Sequence, residues 1–163
     1  MGKQLPPPNE HTDNEMVKME VNLDDMPGEW LGYVMDLLFE QGANDVYYTP
    51  IYMKKNRPGT LLQLLCSTGD IDAMKNILFR ETTTLGIRYY PLSVHRLERV
   101  FVTAQTEWGP IKVKKGIYGG EVVQWAPEYE ECKQIARTYG IPLKRVYDAI
   151  RKAEDLGDER THD

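Results

Sequence analysis

The chain has 163 residues, of which 41% are apolar and 28% charged, enough apolar matter to close a core and too much for disorder throughout. No apolar run approaches the roughly 18 residues a membrane helix needs, and the start Met1-Gly2-Lys3-Gln4-Leu5-Pro6-Pro7-Pro8 has neither the apolar centre of a signal peptide nor the Ser or Thr that myristoylation requires at the position of Pro6. The net charge of −5 belongs to the ends, because residues 16–153 hold 18 basic and 17 acidic side chains, a balance that argues against a basic surface for nucleic acid.

Residues 1–15, Pro-rich and acidic, read as a flexible tail. Over 16–23, Val17, Met19, Val21 and Leu23 alternate with Lys18, Glu20 and Asn22, which predicts a half-buried strand. Asp24-Asp25-Met26-Pro27-Gly28 breaks it. Leu31, Val34, Met35 and Leu38 recur at helical spacing over 29–41, and Gly42 stands where a helix stop belongs. Asp45–Met53 is rich in aromatic and β-branched residues and reads as a strand, with Pro50 placing it at a bulge or a sheet edge. A turn over 54–59 leads into a buried strand at 60–66. Ile71, Met74, Ile77 and Leu78 mark a second helix, which Thr82-Thr83-Thr84 ends, and 85–92 reads as another strand.

The order β-α-β-β-α-β over 16–93 is that of the ferredoxin-like split βαβ arrangement, an α+β fold with both helices on one face of the sheet. Tyr47, Tyr48 and Tyr52 suggest that the other face is covered, by another subunit or by the second half, so a homo-oligomer is expected.

Residues 94–153 read as a smaller subdomain. Strands at 99–106 and 111–115 flank the hairpin signal Trp108-Gly109-Pro110, and 121–125 is a third candidate. Pro127 opens a helix with Tyr129, Cys132, Ala136 and Tyr139 on one stripe, closed by Gly140. Pro142 sits at the first turn of a last helix with Leu143, Val146, Ala149, Ile150 and Ala153 inward. Residues 154–163 read as an acidic tail.

The common catalytic motifs are absent: no phosphate-binding glycine loop of the Walker type, no dinucleotide fingerprint and no nucleophile elbow. His11, His95 and His162 are scattered, no Cys/His cluster has metal-ligand spacing, and Cys66 and Cys132 fall on apolar stripes as core thiols. Three groups carry chemistry. Asn22-Leu23-Asp24-Asp25 ends a strand with adjacent carboxylates, which suit a hard divalent cation or the N-cap of the next helix. Lys54-Lys55-Asn56-Arg57-Pro58-Gly59 puts three cations on one turn, either a phosphate clamp or a solvated hairpin tip. Arg80-Glu81-Thr82-Thr83-Thr84-Leu85-Gly86-Ile87-Arg88 is a hydroxyl-rich bend, either ligand contact or a helix stop. Together they make up the parts of a metal-bound polyphosphate site. Separately, the two helices joined through Gly140, with Lys144, Arg145, Arg151 and Lys152 outward, have the form of a helix-turn-helix, although Glu128, Glu130 and Glu131 would repel a DNA backbone. A module sensing a small effector is the other reading of a ferredoxin-like fold.

Four stretches in order resemble the nickel insertion proteins that complete the nickel-pincer nucleotide cofactor of lactate racemase. They are Val21-Asn22-Leu23-Asp24-Asp25-Met26-Pro27-Gly28-Glu29-Trp30-Leu31-Gly32-Tyr33, Thr49-Pro50-Ile51-Tyr52-Met53-Lys54-Lys55-Asn56-Arg57-Pro58-Gly59, Phe79-Arg80-Glu81-Thr82-Thr83-Thr84-Leu85-Gly86-Ile87-Arg88 and Ala126-Pro127-Glu128-Tyr129-Glu130-Glu131-Cys132. The resemblance implies the C-terminal part of a cytoplasmic, CTP-dependent nickel insertase of the lyase class. Such an enzyme places nickel in pyridinium-3,5-bisthiocarboxylic acid mononucleotide while CTP becomes CMP and pyrophosphate. It implies Asp24 and Asp25 as ligands of Mg²⁺ or Mn²⁺ carried with CTP. It implies Lys54, Lys55 and Arg57 as triphosphate contacts, with Arg80, Thr82, Thr83, Thr84 and Arg88 beside them. No residue is assigned a catalytic role. Nickel itself is expected on an N-terminal region outside this sequence, without which the chain is expected to be inactive.

Overall fold

The computed structural model describes residues 9–158, which divide into two compact units, Thr12–His95 and 96–158 with 9–11. In the first unit β1 (His11–Leu23), α1 (Gly28–Gln41), β2 (Asp45–Met53), β3 (Arg57–Ser67), α2 (Ile71–Glu81) and β4 (Arg88–Arg96) follow one another, and the sheet order is β2-β3-β1-β4. β3 is antiparallel to both neighbours, with Leu23 opposite Thr60 and Met53 opposite Arg57. This is the ferredoxin-like arrangement expected from the order of elements. β2 lies at an edge, where Pro50 costs no ladder hydrogen bond toward a missing neighbour.

Val17, Met19, Val21 and Leu23 of β1 and Leu62, Leu64 and Cys66 of β3 face the helices, and Val34, Leu38, Met74 and Leu78 meet them from α1 and α2. Each of these larger side chains contributes about 1.5–3 kcal/mol by leaving water. Gly42 closes α1 in the left-handed region (φ 115°), its N–H reaching the carbonyls of Leu38 and Phe39. Cys66 is buried, and burial pushes its thiol up to about 11, as an inert core thiol requires.

Several expected boundaries move. β1 starts at His11, ahead of 16, so the expected tail at 1–15 is strand from His11 onward, held in part by the Ser93 hydroxyl donating to Asn14 Oδ1 at 2.7 Å. Residues 1–8 and 159–163, the remainder of both expected tails, lie outside the described residues, and 154–158 continue a helix. Arg57-Pro58-Gly59 belongs to β3 instead of a turn: the chain reverses within Lys54–Asn56, where Lys55 and Asn56 take φ of 62° and 56°. The three tyrosines do not share a face. Tyr48 turns toward the helices, donates to the Leu31 carbonyl and has its hydroxyl pushed up to about 12 by burial, while Tyr52 is 77% exposed. Alternation along the strand puts Tyr47 on the opposite, open face.

The second unit holds β5 (Glu98–Thr106), β6 (Gly109–Tyr118) and β7 (Glu121–Pro127) in that order, followed by α3 (Tyr129–Tyr139) and α4 (Leu143–Asp158). Ala104, Ile111, Val113, Cys132, Val146 and Ile150 form its core. Pro127 ends β7 instead of opening α3, and Tyr129 and Tyr139 are exposed because only Cys132 of that stripe is fully buried. Of the four outward cations near the last helix, Arg145 lies over Trp108 and Arg151 over Trp125, at 6.0 and 5.7 Å from the ring centres. No helix among the described residues is long and apolar enough to cross a membrane.

Candidate functional site

Antiparallel pairing brings the C-terminal end of β1 beside the N-terminal end of β3, and the return through α2 delivers the Thr82-Thr83-Thr84 bend to the same end of the sheet. The three chemically interesting stretches are therefore joined by side chains. Arg57 donates to Asp24 Oδ2 at 3.4 Å, and the Thr83 hydroxyl donates to Asp25 Oδ1. Arg88, at the start of β4, donates to Asn22 Oδ1 at 2.7 Å.

Neither aspartate caps α1. Pro27 occupies the N-cap position and no side chain bonds the first turn, so both carboxylates are turned to partners from other elements. Thr82 and Thr84 act locally: the Thr82 hydroxyl donates to the Leu78 carbonyl at 2.6 Å and accepts the Thr84 N–H at 3.2 Å, and the Thr84 hydroxyl donates to the Gly86 carbonyl at 2.8 Å. That is the helix-stop reading of the bend, which leaves Thr83 as the member reaching the acidic pair. Lys54 and Lys55 are exposed on the turn leading into Arg57 and form no ion pair among the described residues. Arg80 leans back on its own helix, its Nε donating to Asn76 Oδ1 at 2.7 Å, and is not brought to the aspartates.

A second layer stands behind Arg88 on the open face of the sheet. Glu20 Oε2 lies 3.7 Å from Arg88 Nε, while Glu20 Oε1 takes the Lys18 ammonium at 3.1 Å and the Tyr90 hydroxyl at 3.1 Å. Burial by itself raises the Glu20 carboxyl, but the hydrogen bonds from Lys18 and Tyr90 with the charges of Lys18 and Arg88 outweigh it and lower the group below its ordinary value. The Lys18 ammonium is raised in turn, chiefly by Glu20. Glu20 and Tyr90 were not singled out from the sequence. The signal for Glu20 was the period-2 alternation that puts it on the same strand face as Asn22; Tyr90 had none, because its partner lies 70 residues away.

Among the described residues no group of three or more His, Cys, Asp or Glu side chains could hold a metal ion. A cation at this site would have two carboxylates from the protein and oxygen from elsewhere, which suits Mg²⁺ or Mn²⁺ bound together with phosphates.

The chain matches the family model described as nickel insertion protein over residues 5–147. The chain belongs to the nickel insertion protein family. A pyridinium-3,5-bisthiocarboxylic acid mononucleotide nickel insertion protein of Acetivibrio thermocellus is 47% identical over 151 residues, covering 93% of this chain and 37% of that protein. The protein of the same description from Geobacillus kaustophilus is 49% identical over 138 residues, covering 84% and 34%. The chain thus spans about a third of the length of the curated relatives it matches. Among solved structures it is similar to LarC2, the C-terminal domain of a cyclometallase involved in the synthesis of the NPN cofactor of lactate racemase. That match has a TM-score of 0.82 and 39% identity, covering 90% of this chain and 99% of that one. A protein of Methanopyrus kandleri shares the fold at TM-score 0.67 and 25% identity, covering 88% and 90%.

Proposed function

We propose that this chain is the part of a nickel insertase that binds CTP with a divalent cation. In this reading the whole enzyme places nickel in pyridinium-3,5-bisthiocarboxylic acid mononucleotide, a lyase-class reaction of the cytoplasm, and works as a homo-oligomer. Nickel is the substrate metal, held by a region outside this chain. The observation that carries the reading is the gathering of Asp24, Asp25, Arg57, Thr83 and Arg88 at one end of the sheet, with the α1 N-terminus capped by neither aspartate.

Asp24 and Asp25 would hold Mg²⁺ or Mn²⁺, whose charge offsets that of the triphosphate. Arg57 now leans on Asp24 at 3.4 Å, a long and exposed pair that a phosphate can outcompete as a bidentate partner. Lys54 and Lys55 supply point charges from the adjoining turn. Arg88, held by Asn22 and Glu20, is aimed with little freedom to lose on binding. Water adds to the α-phosphorus, the bond from that phosphorus to the bridging oxygen breaks, and CMP and pyrophosphate result. The basic side chains stabilise the charge that gathers on the departing pyrophosphate.

Calorimetric titration of the chain with CTP and Mn²⁺ tests this reading. Asp24→Ala/Asp25→Ala is expected to abolish measurable binding, and Arg57→Ala to weaken it by about ten-fold, the worth of one charge-assisted bond. Undiminished CTP binding in the folded double variant overturns the assignment.

A further inference from the structure

The open face of the second unit's sheet has a different chemistry. In β5 and β6, Phe101 lies opposite Lys114, Thr103 opposite Lys112 and Arg99 opposite Gly116. Directly opposed residues of an antiparallel pair share a face, and the neighbouring positions Ala104, Ile111 and Val113 point the other way into the core. Phe101, Lys112 and Lys114 therefore face outward together, with Phe101 68% exposed. β7 adds Gln124 opposite Gly116 and Ala126 opposite Lys114, and a carboxylate enters the paired positions at the far end of the strand, where Glu121 lies opposite Tyr118. Among the described residues Arg99, Lys112 and Lys114 form no ion pair; the nearby Glu131 carboxylate accepts the Lys112 backbone N–H at 2.8 Å.

The exposed Phe101 ring, set among three cations that form no ion pair among the described residues, is complementary to a ligand with one electron-poor ring and several anionic groups. Building on the proposed function, we infer that this face binds the pyridinium mononucleotide, with its cationic ring against Phe101 and its phosphate and thiocarboxylates on Arg99, Lys112 and Lys114. A pyridinium over a phenylalanine face gains cation–π attraction. Arginine offers a planar fork to the phosphate, and the lysines offer point charges to the thiocarboxylates. The levels of Arg99 and Thr103 on β5 are about 14 Å apart at the usual rise, a span that the long side chains on either side of Phe101 close upon a single nucleotide.

The test titrates the 163-residue chain with pyridinium-3,5-dicarboxylic acid mononucleotide, the oxygen analogue of that ligand, and in parallel with CTP and Mn²⁺, with the fold of each variant checked by ¹H–¹⁵N correlation spectra. Phe101→Ala and Lys112→Ala/Lys114→Ala are each expected to weaken the analogue by about ten-fold or more and to leave the CTP affinity in place. Asp24→Ala/Asp25→Ala is expected to do the reverse. The inference is overturned if the analogue does not bind, or binds equally well in both variants, while CTP still binds; that result leaves the nucleotide site standing. It is equally overturned if a decauridylate binds tighter than the analogue, depends on Phe101 and weakens steeply with salt, which would make the face one for nucleic acid.

Discussion

Gly59 is where the fold and the proposed nucleotide site lean on the same atoms. It lies in β3 opposite Ile51, and a Cβ placed there would stand 2.8 Å from the Leu23 carbonyl oxygen and 3.0 Å from Met53 Sδ. The Met53 thioether can swing aside. The Leu23 carbonyl cannot, because Leu23 is paired with Thr60 in the ladder. Relief requires the end of β1 to move by several tenths of an ångström, and such overpacking costs about 1–3 kcal/mol. Leu23 precedes Asp24, so the shift opens the 3.4 Å pair between Asp24 and Arg57 and disturbs the carboxylates together. Gly59→Ala should therefore lower the urea midpoint by about 1 M, taking a denaturant slope of about 1–3 kcal/mol/M, and should weaken Mn²⁺–CTP binding more than the loss of folded protein explains. Gly86→Ala is the control near the same bend: its Cβ would meet nothing within 4 Å, and the change should leave stability within about 1 kcal/mol of the parent. A Gly59→Ala protein as stable as the parent and equally able to bind the nucleotide would refute the argument from close approach.

Two further outcomes follow from the site's hydrogen bonds. Glu20 has its carboxyl lowered in the folded state, so its stabilising contribution is complete above the ordinary carboxylate range of about 4.3 and is lost as pH falls through the lower folded value. Glu20→Gln should cost about 1–3 kcal/mol at neutral pH by leaving Lys18 poorly paired, and urea titrations at descending pH should show the gap to the parent closing below pH 4. Thr83→Val keeps the shape of the side chain and removes the donor to Asp25; it should change stability by no more than about 1 kcal/mol but alter the affinity for Mn²⁺–CTP by several-fold, read in the same calorimetric titration.

Local rules carried most of the first unit. Alternation in β1, the glycine after α1 and the proline of an edge strand are each fixed by nearest neighbours along the chain, and the order of elements then leaves the ferredoxin-like arrangement. The same rules misplaced the turn before β3, because Pro58 and Gly59 carry turn chemistry that pairing across an edge hairpin overrides. Composition alone suggested one tyrosine-rich face, whereas the alternation of β2 separates Tyr48, which donates to the Leu31 carbonyl, from Tyr47.

The residue types of the proposed metal-bound phosphate site were legible in the chain, and so was the family likeness in four ordered stretches. Whether Asp24 meets Arg57 and Asp25 meets Thr83 was not, since those partners lie 33 and 58 residues apart. That was decided by the register of β1 against β3 and by the return of α2 to one end of the sheet, because the free energy that sets a register comes from burying Val17, Met19, Val21 and Leu23 together, and not from the polar side chains it carries into contact.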